Sequence, residues 1–515
     1  MFDSAPSSFA EFEMLAGAHR FVPVWMRASC GDVPLVDVFE AMSPDGRGFI
    51  LDGTSPEPGA SRHAYVGIGT QRALGPREVD NRNPFEALRE SLSEIGSAAG
   101  VALHPFFSSA VGYFAYEAVR HLEPSVAPLR PDPIGVPEAA FIYPAETIAL
   151  DRVAATATAV VTADVSGGNL RTAYDYAIGR CRELLVLVGN AEADRQLQQS
   201  TPLPNPLPQG ERGRRSSRSV VSRAEYERRV ESARRAIIGG ELIQVVLSQR
   251  FERPTDARPL DVYRELTRLN PSTYMFYLGF GQTASAPTGF HLVGASPELM
   301  TRVRGGVVSV HPIAGTRLRS PDDGHDERAE SELLGSEKER AEHIMLVDLA
   351  RNDLGRVCES GTVEVPYLMR TERYSHVMHL VSRVRGRLRG DCDGVSAFEA
   401  GFPIGTLAGA PKIRAMQLIA ELESEGRGPY CGGVGWFAAN GDLDTGTVIR
   451  SIVFKDGVAH IQGGGGIVFD SDPSAEYQES LHKIQAPLEA IAAAENRGAA
   501  DLTGHRWRSP QVVNA

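Results

Sequence analysis

The chain has 515 residues, of which 42% are hydrophobic and 23% charged, and its formal net charge is −12. This profile is typical of a soluble globular protein, and the length suggests two to four domains or one large elaborated domain. The acidic balance argues against a nucleic-acid or anionic-membrane partner, but it does not exclude an anionic small substrate. The five cysteines are odd in number and form no CxxC pair, so we expect neither a disulfide framework nor a zinc ribbon.

The start of the chain has acidic residues and no basic segment, so the sequence predicts no signal peptide. Apolar runs stay shorter than about 18 residues, so it predicts no membrane span either. We therefore expect a cytoplasmic protein.

The first part of the chain alternates short apolar runs with turns, and we assign residues 14–190 to an N-terminal domain. Helices are predicted at residues 83–95 and 174–187. Strands are predicted at residues 21–27, 48–52, 64–68, 105–116, 139–151 and 154–163. Residues 196–219 are rich in Pro, Gln, Ser and Arg and have no periodic apolar face, so we interpret residues 191–221 as a linker or insertion.

The second part, residues 222–493, begins at a predicted capping box formed by Ser222 and Glu225. Further helices are predicted from residue 326 and at residues 411–422 and 475–493. Strands are predicted at residues 242–248, 274–280, 291–294, 299–304, 306–312, 361–366, 375–385, 430–438, 447–455 and 458–462. We expect residues 497–515 to be a disordered tail.

Strands are numerous and strand-helix-strand alternations are few in this order of elements. The sequence therefore predicts an α+β fold: a large, mostly antiparallel β-sheet sandwich flanked by helices, with a smaller N-terminal α/β region.

Two acidic pairs share one spacing. Glu339 and Glu342, and far downstream Glu476 and Glu479, are three residues apart, which places each pair on one face of a helix. Carboxylates at the edge of a core need a positive partner, and a metal ion is the simplest one; a hard divalent cation such as Mg²⁺ prefers oxygen ligands of this kind. From the spacing alone, a solvated helix face is the more frequent explanation. The apolar residues 344–350 that follow the first pair are predicted to be buried.

Two glycine-rich segments are candidates for ligand binding. Residues 405–410 precede Pro411 and Lys412 at a predicted helix start, where free N–H groups favour an anion. Residues 463–466 are consecutive glycines after a strand, which suits either close approach to a ligand or a hairpin turn. Arg450, on a preceding strand, could pair with a carboxylate.

Taken together, residues 222–493 resemble the chorismate-utilising enzymes, and within that family the anthranilate synthase component I branch. The N-terminal part resembles that branch more weakly, in AVGYFAYEAVR and RHAYVGIG. The resemblance rests on an ordered series of segments: NPSTYMFYLGF, VGASPEL, PIAGTR, EKERAEHIMLVDLARNDLGRV, ERYSHVMHLVS, FPIGTLAGAPK, RGPYCGGVGWF, DLDTGTVIRS and SDPSAEYQESLHKI.

The resemblance implies a Mg²⁺-dependent lyase that converts chorismate and ammonia to anthranilate and pyruvate in tryptophan biosynthesis. It implies that Glu342 and Glu479 bind Mg²⁺, supported by Glu339 and Glu476. The implied substrate-binding residues are Gly315, Thr316, Tyr430, Arg450, Gly464, Gly465 and Gly466. The implied catalytic residues are His379, Thr406, Glu298, Gln244 and Lys412. No glutaminase segment is recognised in the chain, so a separate glutamine amidotransferase subunit and a hetero-oligomer are implied.

Two positions separate the branches of this family. Isochorismate and salicylate synthases carry a water-activating Lys where this chain has Gln244, and aminodeoxychorismate synthases carry a nucleophilic Lys where it has Ala314. The resemblance therefore implies direct addition of ammonia. Aminodeoxychorismate synthase component I, 2-amino-2-deoxyisochorismate synthase and a non-catalytic binding protein remain the alternatives.

The resemblance also locates a tryptophan-binding site. Tryptophan-inhibited members of the family carry L-L-E-S where this chain reads Ile50-Leu51-Asp52-Gly53, and P-Y-M where it reads Thr273-Tyr274-Met275. Because the Ser, the Glu and the Pro are replaced, inhibition by tryptophan is left open. The residues of this site are Gly53, Thr273, Tyr274 and Met275.

Overall fold

The computed structural model describes residues 3–53, 63–74, 82–96, 105–126, 129–200, 217–319, 323–373 and 377–504. Residues 201–216 of the predicted linker and residues 505–515 of the predicted tail lie outside these ranges. Within them, no helix combines the length and the apolar character that crossing a membrane requires.

The N-terminal part contains strands and helices close to those predicted from the sequence. Its strands are β1 (Asp3–Ala5), β2 (Phe21–Ser29), β3 (Gly48–Asp52), β4 (His63–Leu74), β5 (Ser109–Phe114), β6 (Ala139–Asp151) and β7 (Thr156–Asp164). Its helices are α1 (Phe9–Ala16), α2 (Leu35–Met42), α3 (Pro84–Ile95) and α4 (Leu170–Ser200). Helix α4 extends beyond the predicted residues 174–187, because a stripe that includes Cys181, Leu184 and Val188 stays buried along it.

The C-terminal part carries most of the strands. They are β8 (Arg218–Ser219), β9 (Gln244–Pro254), β10 (Tyr274–Phe280), β11 (Phe290–Ser296), β12 (Leu299–Arg304), β13 (Val307–Val310), β14 (Ile313–Leu318), β15 (Glu364–Arg373), β16 (Val377–Arg387), β17 (Gly409–Ala410), β18 (Gly433–Ala438), β19 (Leu443–Thr447), β20 (Ser451–Lys455) and β21 (Val458–Ile467). The helices are α5 (Arg223–Ile238), α6 (Pro259–Leu269), α7 (Asp323–Gly335), α8 (Glu337–Gly355), α9 (Gly394–Gly401), α10 (Gly405–Ala408), α11 (Lys412–Leu422) and α12 (Pro473–Gly504).

Helix α12 corrects the prediction of a disordered tail from residue 497, because it continues to Gly504. An ion pair between Arg497 Nε and Glu265 Oε1 at 2.7 Å ties this last part of the helix to α6. The tail prediction therefore began too early, since the sequence does not reveal this contact with a residue far away in the chain.

Strands of both parts of the chain belong to one extensive sheet. Every pairing between described strands is antiparallel, and β3 pairs with β10 while β5 pairs with β18. The prediction of an α+β fold with a large antiparallel sheet flanked by helices is therefore confirmed. The division at residues 191–221 stays a prediction.

Strand β10 shows how the sheet is packed. Met275 and Tyr277 contribute to a core cluster that also contains residues of α2, α4, α6 and α12. Phe276 and Leu278, on the opposite face, contribute to a cluster built mainly of strand residues such as Trp436. Because side chains alternate along a strand, one face of β10 meets helices and the other meets strands.

The acidic helix differs from its prediction in two ways. Instead of one helix from residue 326, the chain forms α7 and α8, and Ser336 between them caps α8 by accepting a hydrogen bond from Glu339 N at 3.4 Å. The apolar stretch 344–350 is also not uniformly buried, since Ile344 is 47% exposed. Only one face of α8, which includes Leu346 and Val347, packs on the sheet, so residues on the opposite face, such as Ile344, are exposed.

Candidate active site

The first acidic pair lies at the start of α8. The amide Nε2 of Gln244, the first residue of β9, donates a hydrogen bond to Glu342 Oε1 at 3.2 Å. Arg317 on β14 donates to Glu339 Oε1 at 3.2 Å. Burial raises the pKa of Glu342, and the neighbouring charges of Glu339 and Glu479 raise it further, partly offset by the bond from Gln244. The pair therefore faces into the protein.

The second acidic pair lies at the start of α12, against the glycine run of β21. A Cβ atom added at Gly465 would lie 2.9 Å from Glu476 Oε2 and 3.4 Å from Glu479 Oε1. Glu476 accepts a hydrogen bond from Ser471 Oγ at 2.7 Å, while its buried Oε2 has no hydrogen-bond partner among the described residues. Burial raises the pKa of Glu476, and this effect outweighs the bond from Ser471 and the charges of Lys483 and Lys338, which lower it.

Lys483 also lies beside the second acidic pair. It was not among the residues predicted from the sequence. Its ammonium lies 2.6 Å from Glu479 Oε1 and donates to the Gly464 carbonyl at 2.8 Å. The i, i+4 spacing from Glu479 was the signal that could have found it. Among the described residues, no three His, Cys, Asp or Glu side chains are arranged to hold a metal by themselves. A metal here would also need oxygen ligands from water or from a bound molecule.

Gly315 and His379 lie together where β14 meets β16. The pairing shifts by one residue between Ala314 and Thr316, and Gly315 adopts a φ of +66°, a conformation that favours glycine. His379 Nδ1 lies 2.9 Å from the Gly315 carbonyl, and a Cβ atom at Gly315 would lie 3.1 Å from Glu339 Oε2. Burial lowers the pKa of His379, which favours the neutral form of its imidazole.

Arg450 is the candidate residue for binding an anionic substrate. It lies between β19 and β20 with a φ of 50°, a strained conformation for a residue with a side chain. Burial lowers the pKa of its guanidinium, and its charge in turn lowers the pKa of His379. No described residue forms a hydrogen bond or an ion pair with its side chain. A partly buried guanidinium without a counter-ion is suited to bind an anion.

Thr406 and Glu298 form a second buried unit. The Thr406 hydroxyl, on α10, donates to Glu298 Oε1 at 2.8 Å, and Glu298 precedes β12. Glu298 is 5% exposed, and burial raises its pKa to about 7, although the bond from Thr406 opposes the shift. The carboxyl group can therefore both hold and release a proton near neutral pH.

Folding stability should report this shifted pKa. In the folded protein the pKa of Glu298 is about 7, above the ordinary value of 4.5. The native state therefore loses stability as the pH rises from 4.5 to about 7, where the unfolded chain has already released this proton. We expect Glu298→Gln to abolish this loss, so that its stability relative to wild type grows by about 1–3 kcal/mol between pH 5 and pH 8. Urea unfolding of both proteins at the two pH values tests this, and a pH-independent difference would contradict it.

Two other predicted residues occupy more structural positions. The Lys412 ammonium pairs with Asp353 Oδ2 of α8 at 2.7 Å and lies 3.4 Å from the Gly401 carbonyl, so it joins α11 to α8. Tyr430 is 7% exposed, in the turn before β18. Of Thr316, only the backbone in β14 is described.

The residues of the predicted tryptophan site come together through the pairing of β3 with β10. Met275 lies opposite Asp52 in this register, and Tyr274 donates a hydrogen bond to Asp444 at 2.8 Å. A Cβ atom added at Gly53 would lie only 1.9 Å from the Thr273 carbonyl oxygen. The backbone therefore leaves no room for a side chain at Gly53.

Restoring the serine of the inhibited family members should therefore strain this protein. We expect Gly53→Ser to lower the free energy of unfolding by about 1–3 kcal/mol, because the two strands must separate. Thermal unfolding measures the effect. Gly167→Ser is the control, since nothing lies within 4 Å of a Cβ atom there. Equal stability of both variants would contradict this prediction, because it would show that β3 and β10 separate at little cost.

Comparison with known proteins gives consistent results. The sequence profile of the chorismate binding enzyme family matches residues 54–489. The chain is 44% identical over 483 residues to anthranilate synthase component 1 of Streptomyces coelicolor, which covers 93% of this chain and 91% of that protein. It is 38% identical over 502 residues to anthranilate synthase component 1 of Acetivibrio thermocellus, with 94% and 98% covered.

Two solved structures resemble the fold. The crystal structure of anthranilate synthase component I from Streptococcus pneumoniae TIGR4 superposes with a TM-score of 0.68 and 31% identity, covering 84% of this chain and 94% of that one. The menaquinone-specific isochorismate synthase from Escherichia coli superposes with a TM-score of 0.64 and 19% identity, covering 92% and 94%, which indicates a shared fold.

Proposed function

The chain belongs to the family of chorismate binding enzymes, and we propose that it is the chorismate-converting component of an anthranilate synthase. The proposed reaction converts chorismate and ammonia to anthranilate and pyruvate, the first step of tryptophan biosynthesis. The relatives that match over most of the chain carry the name anthranilate synthase component 1, which supports this choice within the family.

The observation that carries the proposal is the partly buried Arg450 beside His379. Chorismate is a dicarboxylate, and a guanidinium without an acidic partner can bind one of its carboxylates bidentately. The other side of the site carries the two acidic pairs, which would repel the second carboxylate of the substrate unless a cation were bound there. This combination suits a small dianion and explains why the net negative charge of the chain does not exclude one.

We assign a Mg²⁺ site to Glu342 and Glu479, with Glu339 and Glu476 as their supports. The residues fit a cation, because burial and mutual repulsion raise the pKa of Glu342 and because Glu476 Oε2 is buried without a hydrogen bond. A bound Mg²⁺ would supply electrostatic stabilisation of a substrate carboxylate. Lys483, which lies 2.6 Å from Glu479, provides positive charge at the same corner.

We assign the proton donor to Glu298. With a pKa of about 7, a substantial fraction of this carboxyl group is protonated at neutral pH. In the proposed first step the nitrogen of ammonia forms a bond to C2 of the ring. As this bond forms, the two ring double bonds shift and the C4 hydroxyl leaves. Glu298 donates a proton to this hydroxyl, so that it leaves as water. Thr406 orients the carboxyl group through its hydrogen bond of 2.8 Å.

We assign the proton acceptor to His379. A carbonyl oxygen only accepts hydrogen bonds, so Nδ1 carries the proton that is donated to Gly315, and the neutral ring keeps its basic lone pair on Nε2. In the proposed second step this nitrogen removes the C2 proton. The ring becomes aromatic as the C3–O bond breaks, and the leaving group departs as the enolate of pyruvate, which becomes pyruvate by taking up a proton at its methylene carbon from the imidazolium of His379 or from water.

Two residues support ammonia as the nucleophile. Gln244 is uncharged and its amide is bound to Glu342, so it cannot activate water as a lysine would. Ala314 offers no amine for attack on the ring. Ammonia is already a nucleophile, so it needs neither a base that activates water nor an amine that attacks the ring. We propose that a separate glutamine amidotransferase supplies it, in keeping with relatives whose name is component 1.

The test is to incubate the purified chain with chorismate, Mg²⁺ and ammonium at alkaline pH. Fluorescent anthranilate and an equal amount of pyruvate are expected, and both should disappear when Mg²⁺ is chelated or ammonium is omitted. An amino-ring product without pyruvate would indicate a 2-amino-2-deoxyisochorismate or aminodeoxychorismate synthase instead. Chorismate binding without turnover would indicate a non-catalytic protein.

A further inference from the structure

A fully buried ion pair lies directly behind the site, outside the residues used above. Arg427, in the loop after α11, is 2% exposed, and Glu423 at the end of α11 is 5% exposed. The pair is bidentate: Arg427 Nε donates to Glu423 Oε2 at 2.9 Å and Nη2 donates to Oε1 at 2.7 Å. Such planar pairing fixes the orientation of both side chains.

The same guanidinium binds two backbone carbonyls from different elements. Its Nη1 donates to the Leu407 carbonyl at 3.1 Å, and its Nη2 donates to the Val246 carbonyl at 2.7 Å. Leu407 follows Thr406 directly. Val246 lies in β9, two residues after Gln244, and is in register with Gly466. Arg427 therefore connects the segment of Thr406 to the strands of Gln244 and the glycine run.

Glu423 extends these connections along β9. Its Oε1 accepts hydrogen bonds from Ser248 N at 2.8 Å and from Ser248 Oγ at 2.9 Å. Ser248 is in register with Gly464 and accepts a bond from Gln462 at 2.8 Å. Both side chains of the ion pair therefore bind the backbone of β9 at residues that lie opposite the glycine run of β21.

Burying an ion pair is costly, and an apolar pair of similar volume often stabilises a protein as well or better. The directional bonds to Leu407 and Val246 are what an apolar pair cannot supply. We propose that Arg427 and Glu423 are positioning residues, which hold the Thr406 segment against β9 and β21 so that the site is ordered before substrate binds. The expected effect of these residues on turnover rests on the proposed function. Their expected effect on the order of the Thr406 segment does not.

The experiment compares wild type with the double variant Arg427→Met/Glu423→Met. The control is Arg250→Met/Glu425→Met, because Arg250 is 6% exposed, lies 2.9 Å from Glu425, and among the described residues donates to no backbone carbonyl. Hydrogen–deuterium exchange without substrate should be about tenfold faster for peptides covering residues 404–410 and 244–248 in the first variant. The control should exchange like wild type there.

Turnover with chorismate and ammonium is the second readout. We expect kcat of the Met/Met variant, measured well below its thermal midpoint, to fall about 30-fold or more, while the control stays within about threefold. Wild-type exchange, or wild-type kcat, in the Met/Met variant would overturn the proposal. If wild type itself does not turn over chorismate, the proposed function fails, and the exchange result still decides the positioning role.

Arg427→Lys provides a variant that keeps the charge should the double variant not fold. Lysine has three donors on one atom in place of a planar fork, so it cannot reproduce the four bonds that Arg427 makes to Glu423 and the two carbonyls. We expect the same peptides to exchange several-fold faster in Arg427→Lys. Exchange and kcat equal to wild type in this variant would overturn the proposal as well.

Discussion

Arg450→Met is expected to lower kcat/KM for chorismate by about 10³ or more without lowering the thermal midpoint. The loss in rate follows because a desolvated, bidentate bond to a substrate carboxylate contributes several kcal/mol. The unchanged or higher midpoint follows because the guanidinium is partly buried and has no described counter-ion, so removing it relieves desolvation. Steady-state kinetics and differential scanning fluorimetry measure the two effects.

Arg302→Met is the matched control for that result. Arg302 is also partly buried, but it donates to Asp444 Oδ2 at 2.9 Å and to the Tyr274 hydroxyl at 3.1 Å. Its loss should destabilise the protein by about 1–3 kcal/mol, because these buried acceptors lose a donor. If Arg450→Met destabilised the chain as much as Arg302→Met, Arg450 would have a structural role and the substrate assignment would be wrong.

Glu342→Gln and Glu479→Gln should each abolish Mg²⁺-dependent turnover, by about 10³-fold or more, and leave the fold intact. A ligand that binds only the native state raises the thermal midpoint, so Mg²⁺ should stabilise wild type and have no such effect on either variant. Titration with Mn²⁺ monitored by electron paramagnetic resonance measures binding directly, independently of turnover. Without metal, Glu342→Gln should be at least as stable as wild type, because burial and two neighbouring carboxylates oppose ionisation of Glu342.

Asp348→Asn is the control on the same helix. Asp348 is exposed and pairs only at the surface with Arg351 at 3.2 Å, so its substitution should change neither metal binding nor turnover. Wild-type rates in Glu342→Gln or Glu479→Gln, or an undiminished response of their midpoints to Mg²⁺, would remove these residues from the metal site.

Local sequence patterns located many of the elements that carry the site. The predicted strands at residues 48–52, 139–151, 274–280 and 299–304 have the bounds of β3, β6, β10 and β12. Short apolar runs bounded by turn residues are a strong signal for such strands. The same local analysis missed the break at Ser336 and the exposure of Ile344, because both depend on how α8 packs against the sheet.

The sequence by itself determined the residue types, their order and the family, because these follow from local patterns and an ordered series of motifs. Only the tertiary structure decided the partners of each charge. Among the residues that the structure describes, it leaves Arg450 without an acidic partner, and it pairs Lys412 with Asp353, Lys483 with Glu479, and Arg427 with Glu423 and two carbonyls. The physical reason is that the pKa and role of a buried charge depend on desolvation and on contacts between segments, some of them far apart in the chain, which no local pattern specifies.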